Sequence, residues 1–298
     1  MAGRERGLAL ALGGGGARGF AHVGVIEVLH QRGVPIRGIA GTSAGAVAGA
    51  GYAMGASPAA MRQRVLAFAR SKLAHHPKLR ALAAREAEHE PDVMARLRET
   101  MARLVLQGQM VKSLILEDAL LDASYFANVV RFFLPEADIG QARIPFVAVA
   151  TDVLSGEPVV LDRGPLRPAV TASCSVPGVS PPVEVDGRWL VDGGVASLVP
   201  VDAALDRWGR PVLAVGVERD IGCDQPPRSA LESYLRAGEI QSCRLSRLLM
   251  GLADLALEPE VGEFHWTDFA EAERIMDLGR EAAEAAWPRI AELVHGSV

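Results

Sequence analysis

LALALGGGGARGFAHVG, residues 8–24, joins a short apolar run to four consecutive glycines at 13–16. The run at 7–12 predicts a buried β-strand, and the spacing of apolar residues over 19–33 predicts a helix. Glycines placed between a strand and a helix let the backbone come close to a partner group. The stretch therefore leaves three candidates for that group: a phosphate, a dinucleotide, or an oxyanion formed during a reaction.

Strand-like runs and helical stretches alternate along the rest of the chain. Further strands are predicted at 36–41, 144–153, 157–164, 210–218 and 255–259, a hairpin at 182–194, and helices at 43–56, 57–69, 165–173, 200–209 and 271–294. This alternation predicts an α/β sheet with helices on both faces. We see no linker and no internal repeat, so we expect one domain over 1–298 with a helical cap inserted at about 70–137.

Bulk composition narrows the function classes. Apolar residues make up 49% and charged residues 22% of the 298, which is typical of a globular protein with ample core. The net charge of −5 disfavours nucleic acid as a partner. The three cysteines are scattered, so we expect neither a disulfide framework nor a zinc site, and a reduced cytoplasmic setting is the default. The first apolar run is too short to span a bilayer, and we interpret it as a strand rather than a signal peptide.

The pentapeptide GTSAG, Gly41 to Gly45, lies between a predicted strand and a predicted helix. In that context a G-x-S-x-G pattern is typical of a nucleophile elbow, a sharp turn that presents Ser43 at the top of the sheet. The flanking Gly41 and Gly45 leave room for the turn. The helix that starts here points its N-terminal N–H groups toward the serine.

A nucleophilic serine requires a base, and the sequence offers several candidates. His265 and His22 are the histidines considered, and His22 is expected to pack on the first helix. Asp192, in VDGG, follows an apolar strand and precedes two glycines. Its carboxylate is either presented inward at a site or organises a turn, as Asp-Gly commonly does. Residue chemistry alone leaves that choice open.

The glycine run fits one of its three interpretations best. Gly14, Gly16 and Gly19 match G-x-G-x-x-G, yet the next strand ends without the acidic residue that a dinucleotide site needs. No Gly-Lys pair follows the run, which argues against a P-loop. Backbone N–H groups beside a nucleophile elbow suit an oxyanion hole. The first two strands are expected to be neighbours, so that their carboxyl ends meet at one edge of the sheet.

Several stretches together resemble the bacterial patatin-like phospholipases. They are GGGGARGFAHVGVIEVL, GIAGTSAGA, PFVAVATDVLSGEPVVLDRGPL, ASCSVPGVSPPVEVDGRWLVDGGV and PVDAA, in that order. The resemblance covers a core at 6–219, with a helical extension at 220–298. It implies a three-layer α/β/α sandwich with a mostly parallel sheet. Plant members carry Asp before the three glycines, where this chain has Gly13.

The resemblance also implies a site and an activity. Ser43 and Asp192 fall on the catalytic dyad of a serine lipid acyl hydrolase, of phospholipase A or lysophospholipase type. Gly14, Gly15, Gly16, Arg18 and Gly19 fall on the oxyanion-hole motif, with Gly15 and Gly16 the expected N–H donors. Arg18 is expected to brace the loop or to neutralise a phosphate head group. We expect an acyl-ester lipid as partner, no cofactor and no metal.

Alternatives stay open at this point. The alternative function is a non-catalytic regulatory module on the same fold that binds a lipid or an anion. The insertion at 70–137 shows no clear match and is either a solvated helical region or a lid, since apolar residues recur at helical spacing over 94–105. Membrane contact is expected to be peripheral, at the inner face, through surface helices such as 92–107. The oligomeric state and the lipid are left open.

Overall fold

The computed structural model describes residues 7–79, 119–122, 124–219, 226–227 and 230–295, which form an eight-stranded sheet with helices around it. The strands are β1 (Leu8–Leu12), β2 (Ile36–Thr42), β3 (Phe146–Asp152), β4 (Pro158–Leu161), β5 (Val183–Val185), β6 (Arg188–Asp192), β7 (Val212–Val215) and β8 (Leu255–Leu257). The helices of this part are α1 (Ala21–Gln31), α2 (Ala44–Ala53), α3 (Pro58–Ala69), α4 (Ser124–Phe133), α5 (Leu166–Ser173), α6 (Val201–Trp208), α7 (Ala230–Met250), α8 (Ala272–Ala285) and α9 (Trp287–His295).

The sheet is mostly parallel, as predicted. Its hydrogen-bonded order is β5-β6-β3-β2-β1-β7-β8, and β4 pairs with β3 outside this path. The pairs β1–β2, β1–β7, β2–β3 and β7–β8 are parallel, whereas β3–β4, β3–β6 and β5–β6 are antiparallel. The carboxyl ends of β1 and β2 are therefore adjacent, at the edge where open α/β sheets usually bind ligands.

Two strands share one side of β3. Along residues 148–151 of β3, one side is occupied by β4. On the other side, β2 pairs as far as Thr42 with Val149, and β6 ends with Asp192 beside Ala150. The carboxyl end of the antiparallel β6 thus meets the carboxyl end of β2 head to head. This junction places the residue after Thr42 next to Asp192.

The alternation of β1 separates two hydrophobic layers. Leu8, Leu10 and Leu12 pack in a core with α1, α2 and α8, while Ala9 and Ala11 face α6. All five residues of β1 are fully buried. Because side chains alternate across a strand, a run apolar at every position predicts a sheet covered on both faces. The α/β/α layering expected from the sequence is confirmed.

Two expectations have other outcomes. The predicted last helix at 271–294 is divided into α8 and α9, since Pro288 cannot continue a helix but fits its first turn. The helical cap at 70–137 lies largely outside the described residues, and it stays a prediction. No helix in the described part of the chain has the length and apolar character that crossing a bilayer requires.

Candidate active site

Ser43 occupies a strained turn between β2 and α2. Its φ of 53° and ψ of −120° are rare for a residue with a side chain. The turn is tight because α2 lies close to the sheet. A Cβ at Gly45 would collide with the Leu12 carbonyl, and one at Gly41 would lie 2.6 Å from Ala46 Cα. The two glycines predicted to flank the elbow are therefore required by the close packing of strand and helix.

Asp192 is the last residue of β6 and is 5% exposed. Its backbone N–H donates to the Ser175 carbonyl at 2.8 Å, and its carboxylate accepts the Gly194 N–H at 2.7 Å. The carboxylate therefore organises the turn that follows and also lies at the site. These are the two roles that the sequence left open, and the structure combines them.

Burial dominates the electrostatics of Asp192. Desolvation raises its pKa to about 6, against opposing hydrogen bonds from Gly194 and from the Ser43 hydroxyl. The hydroxyl also interacts with the Cys174 thiol. Burial, and then the charge of Asp192, raise the pKa of Cys174 well above its usual range, so this thiol stays neutral. Ser43 thus faces one carboxylate that ionises near neutral pH and one thiol that does not.

The glycine loop runs beside Ser43 and keeps two N–H groups available. Gly14 approaches so closely that a Cβ there would lie 3.2 Å from Ser43 Cβ. Its own N–H donates to the Leu198 carbonyl at 2.9 Å. Among the described residues, nothing accepts a hydrogen bond from the N–H of Gly15 or Gly16. Within the described part of the chain, Gly15 and Gly16 are therefore the expected oxyanion donors, and Gly14 is the glycine that brings the loop close to Ser43.

The loop is held from its outer side. The Arg18 guanidinium donates to the carbonyls of Val217 and Phe264 at 3.0 and 2.9 Å. The Ala17 N–H donates to the Trp266 carbonyl at 2.8 Å. Burial, and then the nearby charge of Arg219, lower the pKa of Arg18. Arg18 therefore braces the loop, which is one of the two roles that the sequence suggested. A Cβ at Gly19 would collide with Ala44, so the loop also packs against the start of α2.

The two histidines considered as bases have other partners. His22 is fully buried, and its Nε2–H donates to the Gly13 carbonyl at 2.7 Å. Burial lowers the pKa of His22 to about 4, so the ring is neutral and supports the glycine loop. His265 bonds through Nδ1 to the Thr267 hydroxyl at 2.6 Å. Asp152, the last residue of β3, accepts the Leu154 N–H at 2.9 Å and so organises the turn that follows the strand.

A large cavity opens over Ser43 and Asp192, with a volume of about 1060 Å³. One end is apolar and lies between α2, α3 and α4. Its wall includes Val47, Met61, Val65, Phe68, Phe126 and Phe133. The other end is polar and is lined by Arg18, Glu218, Arg219, Arg236, Glu239 and His265. The cavity that contains Ser43 is therefore lined by both apolar and polar groups of side chains.

One contact at the site has no counterpart in the sequence patterns. The Ser43 N–H donates to the Ser173 hydroxyl at 2.9 Å. Ser173 lies 130 residues further along the chain, at the end of α5, and is fully buried. A serine in a small-residue helix resembles any other packing serine, so no local signal distinguishes it.

Comparisons with known proteins show which family this chain is similar to. The model of a family described as patatin-like phospholipase matches residues 10–205. An uncharacterized NTE family protein of Mycobacterium bovis is 38% identical over 194 residues, which cover 65% of this chain and 44% of that protein. Patatin-like phospholipase domain-containing protein 6 of Mus musculus is 29% identical over 212 residues, which cover 70% of this chain and 13% of that protein. The crystal structure of VipD from Legionella pneumophila is similar at a TM-score of 0.46 and 14% identity, covering 94% of this chain and 66% of that one.

The chain spans less than half the length of these two curated relatives. The family match, however, extends over well more than half of this chain and includes the glycine loop, Ser43 and Asp192. The chain belongs to the patatin-like phospholipase family.

Proposed function

We propose that this protein is a serine lipid acyl hydrolase, of phospholipase A or lysophospholipase type, with Ser43 and Asp192 as its catalytic dyad. The observation that carries the proposal is a single juxtaposition. The Ser43 hydroxyl faces the buried carboxylate of Asp192, and a largely apolar cavity opens over both. Gly15 and Gly16 line the same cavity, and their N–H groups have no acceptor among the described residues. Nucleophile, base, oxyanion donors and a place for an acyl chain are then together.

Acylation begins at Ser43. Its oxygen attacks the ester carbonyl while Asp192 accepts the hydroxyl proton, which Asp192 then gives to the departing alcohol. Water next attacks the acyl-serine, again through Asp192, and releases the fatty acid. Because the pKa of Asp192 is near 6, the carboxylate is ionised at neutral pH and is also basic enough to take up a proton.

The glycine loop stabilises the negative charge that develops on the carbonyl oxygen. The N–H groups of Gly15 and Gly16 are held in place by Arg18, His22 and the Trp266 carbonyl, and need no rearrangement during the reaction. Loss of one such donor typically costs about 10²- to 10³-fold in rate. The contacts that brace the loop therefore contribute to catalysis by keeping these donors in position.

The apolar end of the cavity supports an acyl chain as the group transferred to Ser43. Ala44, Val47, Ala48 and Gly51 lie on one face of α2 and all line the cavity. That face extends away from the nucleophile, so a chain attached to Ser43 would lie along α2 and between α3 and α4. The polar end then receives the alcohol part of the lipid.

Covalent labelling tests the proposal. Wild-type protein should react with a fluorophosphonate probe, peptide mapping should locate the adduct on Ser43, and Ser43→Ala should abolish both labelling and hydrolysis of a p-nitrophenyl ester. Mass spectrometry of the products from diacyl and monoacyl phospholipids would separate the two activity types. Absence of labelling in folded wild type, with and without detergent micelles, would favour a non-catalytic binding module.

A further inference from the structure

The hydroxyl of Ser173 connects the nucleophile to the sheet. It accepts the Ser43 N–H at 2.9 Å and donates to the Val149 carbonyl at 2.6 Å. Val149 is the residue of β3 that pairs with Thr42, the last residue of β2. Ser173 therefore inserts one hydroxyl between two backbone groups at the point where the β2–β3 ladder ends.

This position matters because the backbone of Ser43 is strained. A residue with a side chain in its conformation costs about 1–3 kcal/mol and persists only when its surroundings hold it there. Where a strand turns sharply into a helix, the N–H of the turn residue leaves the strand ladder. A buried N–H without an acceptor carries a further penalty of roughly 1–3 kcal/mol. The Ser173 hydroxyl removes that penalty and fixes the direction of the Ser43 backbone.

We propose that Ser173 is a positioning residue for the nucleophile, an inference that rests on the proposed function of Ser43. It holds the elbow in its strained conformation and so keeps the Ser43 oxygen aligned with Asp192. It also occupies the Ser43 N–H, which leaves the glycine loop to bind the oxyanion. The hydrogen bonds of the Ser173 hydroxyl within the described residues go to Ser43 and Val149 and not to Asp192, so we expect its removal to change alignment and not the basicity of the carboxylate.

Steady-state kinetics on a soluble ester test the role. Ser173→Ala should lower kcat about 10- to 100-fold, the scale expected for a misaligned reacting group, with KM within about twofold. The acid limb of the pH profile should stay at its wild-type position. Ser173→Thr, which keeps the hydroxyl, should recover much of the rate. Ser197→Ala is the matched control, because Ser197 is also fully buried and its hydroxyl donates to Asp202 at 3.0 Å, and it should retain wild-type kcat.

A second readout does not depend on turnover. In [¹⁵N]serine-labelled protein the Ser43 amide is the signal lost in Ser43→Ala, and its exchange with solvent should be faster in Ser173→Ala than in wild type or Ser197→Ala. Unchanged exchange in a folded Ser173→Ala protein would overturn the role, whatever its activity, and so would an unchanged kcat in an active enzyme. Should wild type prove inactive while Ser173→Ala accelerates this exchange, the hydrolase proposal would fail and the positioning contact would stand.

Discussion

Asp192 carries opposing demands in a single side chain. Burial favours its neutral form, while its partners, the Gly194 N–H and the Ser43 hydroxyl, favour the carboxylate. Burial is the largest of these effects, so the pKa rises from 3.8 to about 6. That shift determines both the pH range of the proposed activity and the pH dependence of stability.

Activity should fall on the acid side. Below about pH 6 the base becomes protonated, so kcat/KM should decline about tenfold per pH unit, because only the ionised fraction accepts the Ser43 proton. Asp192→Asn should lose about 10²- to 10⁴-fold at neutral pH, the usual contribution of a general base. The pH profile of a soluble ester substrate checks both, and full activity maintained at pH 4.5 would exclude Asp192 as the base.

Stability should move in the opposite direction. A carboxyl group whose pKa is raised in the folded state favours folding fully below its unfolded pKa of 3.8, and this contribution is lost as the pH rises through about 6. Asp192→Asn removes the cost of burying the charge, which should raise the free energy of unfolding by up to about 3 kcal/mol at pH 8. The amide oxygen of the new side chain can still accept the Gly194 N–H. Thermal unfolding should give the variant the higher Tm at pH 8, with the gain disappearing toward pH 4. A variant less stable than wild type at pH 8 would contradict this account.

His22 affects the free energy of unfolding in the same pH range, but its pH dependence is opposite to that of Asp192. Its folded pKa of about 4 lies below the ordinary 6.5, so its contribution to folding is present above pH 6.5 and is lost as the pH falls through 4. The contributions of Asp192 and His22 to the pH dependence of stability therefore partly cancel in wild type. Since His22 is common to both proteins, the difference between wild type and Asp192→Asn isolates the carboxylate.

Local sequence patterns predicted most residues of the candidate site, but they did not predict contacts between residues that are distant in sequence. GTSAG predicted the turn at Ser43 because strand, glycines and helix all agree locally. Asp192 stayed ambiguous because an Asp-Gly pair looks the same in a turn and in a site. Ser173 was missed, since its role depends on a contact 130 residues away in sequence.

At the scale of elements, the glycine loop is defined by what lies outside it. Gly16 has a φ of 59°, and a Cβ there would collide with the Trp266 carbonyl. Gly33, after α1, has a similar φ of 66° but has nothing within 4 Å. A comparison of substitutions at Gly16 and Gly33 therefore separates the effect of backbone strain from the effect of steric crowding.

Gly16→Ala should displace the loop and lower kcat/KM by about 10²-fold or more, as expected when an oxyanion donor is lost. Gly33→Ala carries the backbone penalty alone, of roughly 1–2 kcal/mol, and should leave the kinetics unchanged. Ester hydrolysis and thermal unfolding of the two variants supply the comparison. Equal effects of both substitutions on kcat/KM would show that the loop can move away from Trp266 without consequence.

Most elements were predictable because local signals agree with the fold. The helix predicted at 57–69 begins with Ser57 and Pro58, residues typical of an N-cap and a first helical position, and the Ser57 hydroxyl accepts the Ala60 N–H at 3.2 Å. The helix predicted at 43–56 is built of small residues, and Gly45 and Gly49 let it pack closely on the sheet. The meeting of β2 and β6 on one side of β3 was not predictable, because it depends on strand order and not on any single strand.

At the scale of the whole molecule, the cavity brings together residues that no stretch of sequence groups. Helices α2, α3 and α4 supply its apolar end, while α7 and the segment around Trp266 supply much of the rest. The sequence predicted α2 and α3 individually, whereas α4 and α7 fall within the broader helical stretches expected at 70–137 and 220–298. Their arrangement around a common space follows from packing, which periodicity does not specify.

Gly51 offers a way to shorten this cavity. It lies two turns of α2, or about 12 Å, beyond Ser43, and a Cβ there would have its nearest neighbours at 3.9 Å. Gly51→Phe should lower kcat/KM for a hexadecanoyl ester about tenfold or more relative to a butanoyl ester, consistent with the ~1–3 kcal/mol typical of overpacking. Gly51→Ala should keep the wild-type ratio. A chain-length profile unaltered by Gly51→Phe would place the acyl chain elsewhere.

The head-to-head junction of β2 and β6 has a consequence for how the protein is made. During synthesis the ribosome releases the glycine loop and Ser43 early, whereas Asp192 emerges only after some 150 further residues. Until β6 is inserted at the end of β2, the nascent chain holds Ser43 without the carboxylate of Asp192 beside it. Under the proposed mechanism such a chain has a nucleophile but no base, so the pairing of β6 with β3 is the folding step that completes the proposed dyad.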